Sequence, residues 1–480
     1  MNKDLLLYEK SRAGRRTLRL STLDVPPPDT AGLTLRESPP DLPQIPELEL
    51  VRHYVRLSKQ NISIADSFYP LGSCTMKYNP LANEVAAAIA GFSGAHPLLD
   101  AGRCQGALAV MKRVEEFLAA VTGLPCVTLH PAAGAQGELS ALLVANAHFA
   151  ARGDSARTKV LIPDSAHGTN PASAAVAGLE PVTVLSGEDG LIDVDDLEQK
   201  LGADTAVFMV TNPNTLGLFE PRIAEICAKV HAAGGLVYMD GANLNALMGI
   251  ARPADFGVDM MHTNLHKTFS TPHGGGGPGA GPICVSEELG AYLPVPRVVE
   301  DERGFRLETD APGSIGMLRG WSCNFGVILR AYCYMRRLGK EGVRRVAENA
   351  VINANYLRIR LRDAYHVPFD GLCMHEFVAT TRHQRAGGVH AIDVAKRLID
   401  LGHHPMTIYF PLVVNEAMMI EPTETETKET LDAFVEDMLL IAREAEECPE
   451  KLHDAPLSTP VGRLDEGRAV KQPILRYQRG

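Results

Sequence analysis

Lys267 lies in the run HTNLHKTFSTPHGGGG (His262 to Gly277), directly after a histidine and a few residues before four glycines. Upstream, Asp240 closes the apolar run LVYMD. A carboxylate at a strand end can pair with a cationic ring nitrogen, and a lysine near it can form a Schiff base with an aldehyde. Those are the two protein groups that pyridoxal phosphate requires. Each residue also has a plainer reading: Asp240 as a helix cap or turn residue, Lys267 as a solvated charge. Their joint setting, DGAN and NLHKTF, favours the cofactor chemistry.

A phosphate needs backbone donors. PAAGAQGE stands between a strand-like run and a helical one, so its N–H groups would face an anion at a helix N-terminus. Ala135 and Gln136 are the candidate donors, and His266 could add a hydrogen bond, with Thr263 and Asn264 as weaker candidates. His167, in DSAHGTNPAS, would stack on a cofactor ring or face solvent from a turn. Thr211 and Asn212, after AVFMV, would reach a ring hydroxyl or simply close a turn. For the carboxylate of a small substrate the pool is Ser73, Cys74, Thr75, Lys77 and Asn79 in SCTMKYN; the plain reading of that run is a structural turn.

Two patterns are decoys. GGGGPG fits G-x-G-x-x-G as a string, but it precedes a strand-like run and contains Pro278, whereas a dinucleotide fingerprint follows a strand and opens a helix. His262, His266 and His273 suggest a metal, yet no Cys or acidic residue joins them, so no metal site is expected.

These residues need elements to hold them. CVTLH, KVLIP, AVFMV and LVYMD read as buried strands, each ending in a polar or glycine-rich turn and separated by helical patterns such as AQGELSALLVANAHFA. Such alternation predicts βαβ units around a mostly parallel sheet, with ligands at the carboxyl ends of the strands. Residues 1–75 read as an arm broken by VPPPDT and ESPPDLPQIP, residues 76–340 as the large domain, and 341–480 as a smaller α+β domain with a tail. In the last, GKEGVRRVAENAVINANYLRIRLRDAY and the stretch after PTETETKET read as helices, HEFVAT and TIYFPLVV as strands.

The 480 residues carry a net charge of −11, which argues against nucleic acid as the main partner. No run approaches a membrane span. The N-terminus lacks a signal-type apolar stretch, and nine scattered cysteines without a C-x-x-C pair suit a reducing compartment, so a cytoplasmic protein is expected.

YEKSRAGRR, YPLGSCTMKYNP, HPAAGAQGE, DSAHGTNPASA, MDGANLNAL, NLHKTFSTPHGGGGPG, GWSCNFGV, TIYFP and MIEPTETE occur in this order over nearly the whole chain. On these motifs the chain resembles the two-subunit form of glycine dehydrogenase (decarboxylating), the P-protein of the glycine cleavage system, and specifically its pyridoxal-phosphate-bearing subunit. The fused form of the family is about twice as long, and this chain resembles its second half. The resemblance implies an α/β, aspartate-aminotransferase-like fold (fold type I), with Lys267 as the Schiff-base lysine, Asp240 on the pyridine nitrogen and His167 stacked on the ring. It also implies decarboxylation of glycine, transfer of the aminomethyl group to the lipoyl arm of the H protein, a companion subunit 1, and two copies of each subunit. His167 or His266 would assist proton transfer. One departure is GHHPMT (Gly402 to Thr407), where the family has a GFHPPT-like run; the roles of His403 and His404 stay open. Two other readings remain: a different fold type I enzyme, such as an amino-acid decarboxylase, and a non-catalytic partner subunit.

Overall fold

A computed structural model of the chain describes residues 5–15, 21–274, 279–369 and 371–476. Two compact units are present, Met1–Ser63 and Ile64–Gly480. The first is mostly irregular, as its prolines dictate, but it holds a helix, Glu47–Ser58, that the sequence reading missed. Within this unit the Arg12 N–H donates to the Gln44 carbonyl (3.2 Å), and Lys10 Nζ meets His53 Nδ1 at 2.9 Å.

The second unit is built on a seven-stranded sheet: β1 (Cys126–Thr128), β2 (Lys159–Pro163), β3 (Glu180–Val184), β4 (Thr205–Thr211), β5 (Leu236–Asp240), β6 (Met260–His262) and β7 (Ile283–Val285), in the order β1-β7-β6-β5-β4-β2-β3. The pairs from β3 through β2, β4 and β5 to β6 are parallel, and β7 runs antiparallel to both β6 and β1. Every residue of β4 is buried, which explains why TAVFMVT carries no alternation: helices cover both faces of a parallel sheet. Phe208 on one face and Tyr238 on the other are fully enclosed. β3 and β6 were not read from the sequence. EPVTV is half exposed and polar, and MMH is three residues long, so neither gives a period to detect.

Beyond a β8–β9 hairpin (Arg297–Asp301, Gly304–Glu308), a helix runs Phe325–Leu361 and breaks at Gly339 (φ 61). The remaining sheet contains β10 (Phe377–Thr380), β11 (Thr407–Ile408) and β12 (Ala417–Ile420) in the antiparallel order β10-β12-β11. It packs under Lys428–Glu447 through Phe434, Val435 and Met438. The expected strand TIYFPLVV is mostly not one. After Ile408, Tyr409 takes φ 59, and Pro411 has no N–H to give a ladder. The central strand is AMMI instead, too short and too uniformly buried to be told from a helix fragment.

Gly217 follows β4 with φ 78, and a Cβ there would stand 1.9 Å from the Glu376 carbonyl oxygen. Gly217→Ala should therefore destabilise the fold by roughly 1–3 kcal/mol, the usual range for overpacking. Denaturant unfolding reads this directly, and an unchanged midpoint would contradict the close approach.

Candidate active site

The carboxyl ends of β2 and β5, the segment after β6 and the start of the helix Gly134–Ala151 surround a cavity of about 590 Å3. Its lining contains Lys267, Asp240, His167, Ala135, His266 and Asn264, all singled out above for the cofactor. Gln136, Thr211 and Asn212 do not line it. Gln136 turns its Oε1 back to accept from the Ala132 N–H (2.6 Å), and Asn212 Oδ1 accepts from the Glu220 N–H (3.0 Å). Thr211 ends β4 beside Asp240 in register, with its hydroxyl buried.

Each side chain is placed by its element. Asp240 is the last residue of β5 and almost wholly buried (1% exposed). Its Oδ1 accepts from the Ala242 N–H at 2.9 Å, and its Oδ2 lies 3.2 Å from His167 Nδ1. Burial acts against the Asp240 charge. His262, charged only in acid, together with the hydrogen bond from His167 and the Ala242 N–H, outweighs it and holds the carboxyl well below the usual carboxylate range. Burial drives His262 itself down to about 4, so at neutral pH it acts as an uncharged imidazole. A buried anion supported this way is poised to receive a cationic group.

Lys267 follows β6 in the turn Leu265–Phe269, and its Nζ donates to the Ser73 carbonyl at 2.8 Å. Ser73 Oγ also meets His167 Nε2, so Lys267, Ser73, His167 and Asp240 form one hydrogen-bonded chain across the cavity. The His167 ring stacks on Phe410 at 5.9 Å.

The helix Gly134–Ala151 starts after an extended Ala133 and points its first turn at the cavity. Those N–H groups have no partner within the helix. Small residues let it come close: a Cβ on Gly134 would meet Asn264 Oδ1 at 2.5 Å, and one on Gly281 would meet the Ala133 carbonyl at 2.1 Å. His266 and His273 line the cavity, and their Nδ1 atoms are buried without a hydrogen-bond partner among the described residues. Burial pushes His266 down to about 3.

Of the substrate pool, Ser73 and Cys74 reach the cavity, while Thr75, Lys77 and Asn79 do not. Lys77 is buried and committed: its Nζ donates to Glu424 (2.7 Å), the Tyr334 hydroxyl (3.1 Å) and the Thr268 carbonyl (2.9 Å). His403 pairs with Asp437 at 2.7 Å and His404 stacks on Tyr69 at 3.7 Å, so both pack locally. Their neighbour Thr407 does line the cavity, as does Phe410, bringing the departing GHHPMT run closer to the site than the sequence suggested. Of the four glycines after His273, Gly274 is described, and the rest of that run lies outside the described residues.

Glu138 was missed, although it sits inside the quoted HPAAGAQGE. It lines the cavity and accepts from the Thr169 and Ser173 hydroxyls at 2.9 Å each. Burial and the nearby Asp240 charge push it up to about 7. Glu421, buried behind Ser73–Thr75, is likewise raised to about 7 by burial. Between the ordinary 4.5 and 7, the folded chain keeps protons on these groups that the unfolded chain releases. Their contribution to stability is thus present below 4.5 and is lost as pH rises through 7. Glu421→Gln should flatten the fall in thermal midpoint between about pH 5 and about pH 8; an unaltered slope would contradict the shift.

The pattern "Aminotransferase class-V" matches residues 137–293, and "Glycine dehydrogenase, C-terminal domain" matches 346–458. A protein of Halalkalibacterium halodurans described as "Probable glycine dehydrogenase (decarboxylating) subunit 2" is 54% identical over 100% of this chain and 99% of its own. A counterpart in Oceanobacillus iheyensis, described in the same words, is 53% identical over 98% of each chain. The chain belongs to the glycine dehydrogenase (decarboxylating) subunit 2 family. Among solved structures, an inhibitor-bound glycine decarboxylase (P-protein) of the glycine cleavage system superposes with a TM-score of 0.73 at 22% identity, covering 84% of this chain and 92% of that one. A sphingosine-1-phosphate lyase from Burkholderia pseudomallei follows at a TM-score of 0.64 and 16% identity, covering 88% and 96%. This subunit 2 family member thus has the fold type I architecture of pyridoxal-phosphate-dependent enzymes, with a mostly parallel seven-stranded sheet. Among the described residues no helix is long and apolar enough to cross a membrane.

Proposed function

We propose that this chain decarboxylates glycine with pyridoxal 5'-phosphate and passes the remaining aminomethyl group to the lipoyl arm of the H protein, releasing CO2. The observation that carries the proposal is the hydrogen-bonded chain of Lys267, Ser73, His167 and Asp240 across one cavity, in a chain of the subunit 2 family.

The residues present fit the cofactor. The buried, anionic Asp240 would hold a protonated pyridine nitrogen. The N-terminal turn of Gly134–Ala151, with Ala135 and His266 on the lining, would hold a phosphate. Gln136 remains a backbone donor there, its side chain being engaged elsewhere. His167 would supply an aromatic face, while Thr211 and Asn212 would act only from behind Asp240. When bound, pyridoxal phosphate supplies an aldehyde for amines and an electron sink for the pair left by departing CO2.

The chain's own groups do the rest. The Ser73 carbonyl holds the Lys267 amine at the cavity wall. Ser73 and Asp240 fix the two His167 nitrogens, so its ring orientation is set before a ligand enters. Glu138 changes protonation near neutral pH and stands on the lining beside Asp240, where it can hold or give up a proton. Ser73 and Cys74 are the candidates to meet the glycine carboxylate. Partners proposed with this reading are subunit 1 and the H protein, in an assembly with two copies of each subunit. The cytoplasm is its proposed compartment; all nine cysteines are free, as a reducing compartment requires.

Labelled bicarbonate should exchange into the carboxyl group of glycine when subunit 1 and lipoylated H protein are supplied. Formation of methylamine from glycine without any lipoyl carrier would instead make the chain a simple amino-acid decarboxylase.

A further inference from the structure

Behind the cavity lie two buried carboxyl groups that the proposed chemistry does not use: Glu376, and Glu421 of the MIEPTETE run. The antiparallel register pairs Phe377 of β10 with Ile420 of β12. The residues just outside that pair, Glu376 and Glu421, therefore emerge side by side at one end of the small sheet. Both are fully buried. They face the backbone of Ser73–Thr75. The Ser73 N–H donates to Glu376 Oε2 at 2.6 Å. The Thr75 N–H donates to Glu421 Oε2 at 3.0 Å, and the Thr75 hydroxyl to Oε1 at 2.5 Å. Asn245 adds a donor to Glu421 Oε1 at 3.3 Å.

The segment so held is unusual. Ser73 and Thr75 have φ of 62° and 46°, in the left-handed region that residues with a Cβ avoid. Such a backbone persists where its surroundings over-determine it. Here the consequence is functional: in this conformation the Ser73 carbonyl meets Lys267 Nζ and the Ser73 hydroxyl meets His167.

We propose that Glu376, together with Glu421, is a positioning residue for Lys267: the carboxyl pair clamps Ser73–Thr75 in its left-handed backbone and thereby sets the acceptor that holds the reactive amine. Two adjacent buried carboxylates repel, and burial raises both, Glu421 to about 7 and Glu376 well above its ordinary range. The larger rise falls on Glu376, so the pair favours holding its proton there. The other ionisable groups around it are His375, whose Nε2 lies 3.6 Å from Glu376 Oε1, together with Lys267, Cys74 and Cys373. His375 is driven down to about 3 by burial and is neutral.

The inference rests on Lys267 being the reactive amine, but its test reads the amine itself. Trace acylation of the protein without cofactor, followed by peptide mass analysis with exposed Lys340 as internal standard, gives the pH midpoint of Lys267. Glu376→Gln, which mimics a protonated carboxyl and keeps the acceptor for the Ser73 N–H, should leave that midpoint in place. Glu376→Leu should lower it by about one pH unit, a roughly tenfold change in the free-amine fraction at fixed pH. A purely structural role would lower the thermal midpoint of Glu376→Leu without moving the lysine. If Glu376→Leu does not fold, Thr75→Val, which removes only the hydroxyl donated to Glu421, should shift the midpoint in the same direction. An unmoved Lys267 in a folded Glu376→Leu protein, or in Thr75→Val, overturns the proposal. So does a stoichiometric divalent cation bound through His375, Glu376 and Glu421, since the clamp would then be a metal site. A cofactor that fails to attach to Lys267 would overturn the proposed function and leave this result readable.

Discussion

In the Lys267→Ala protein, exchange of bicarbonate into glycine is expected to fall by roughly 10²–10⁴-fold, the range for loss of a positioned group that bonds or moves protons at the reacting centre. The loss should come from chemistry and not from unfolding. Lys267 lies in a turn at the cavity wall, half-buried, and its Nζ donates to the Ser73 carbonyl, which water can satisfy in its place. Lys77, a few ångströms of backbone away through Thr268, cannot substitute: its ammonium is locked to Glu424 and Tyr334. Circular dichroism and a thermal midpoint close to the parent's, alongside the lost exchange, are the expected pair of results. Exchange within tenfold of the parent would show that some other group carries the amine chemistry.

Asp240→Asn should cost roughly 10²–10³-fold in the same assay, the scale for removing one preorganised electrostatic group. The substitution keeps the shape and can still accept from the Ala242 N–H, but it removes the buried charge. Two groups then lose their counterpart: His167, whose tautomer that carboxylate fixes, and the cationic ring nitrogen that the proposed cofactor would present. Affinity for pyridoxal phosphate should fall as well. Equilibrium dialysis and the exchange rate at saturating cofactor separate the two effects. A variant that binds the cofactor normally and exchanges at the parent rate would remove Asp240 from the site.

Much of this was legible in the residues. β2 and β5 match KVLIP and LVYMD because parallel strands covered on both faces must be continuously apolar, and their ends deliver His167 and Asp240 to one rim. What the sequence concealed follows from its local character. β6 is three residues long, and the small sheet's middle strand, AMMI, has no readable period. Lys77 looked like a substrate ligand because it sits in a polar, turn-rich run; only the fold reveals Glu424, 347 residues away in sequence, as its partner. Thr407 and Phe410 lie at the three-stranded sheet, far along the chain from Lys267, and nothing local says that they return to the cavity. Glu376 and Glu421 come together only through strand register, a long-range fact.

The most direct measurement is borohydride reduction of the protein loaded with pyridoxal phosphate, followed by proteolysis and mass analysis. The account predicts a yellow protein whose visible band is bleached by the reagent, with the reduced cofactor covalently attached to the peptide containing Lys267 and to no other. Cofactor recovered free, or fixed to a different lysine, would contradict it.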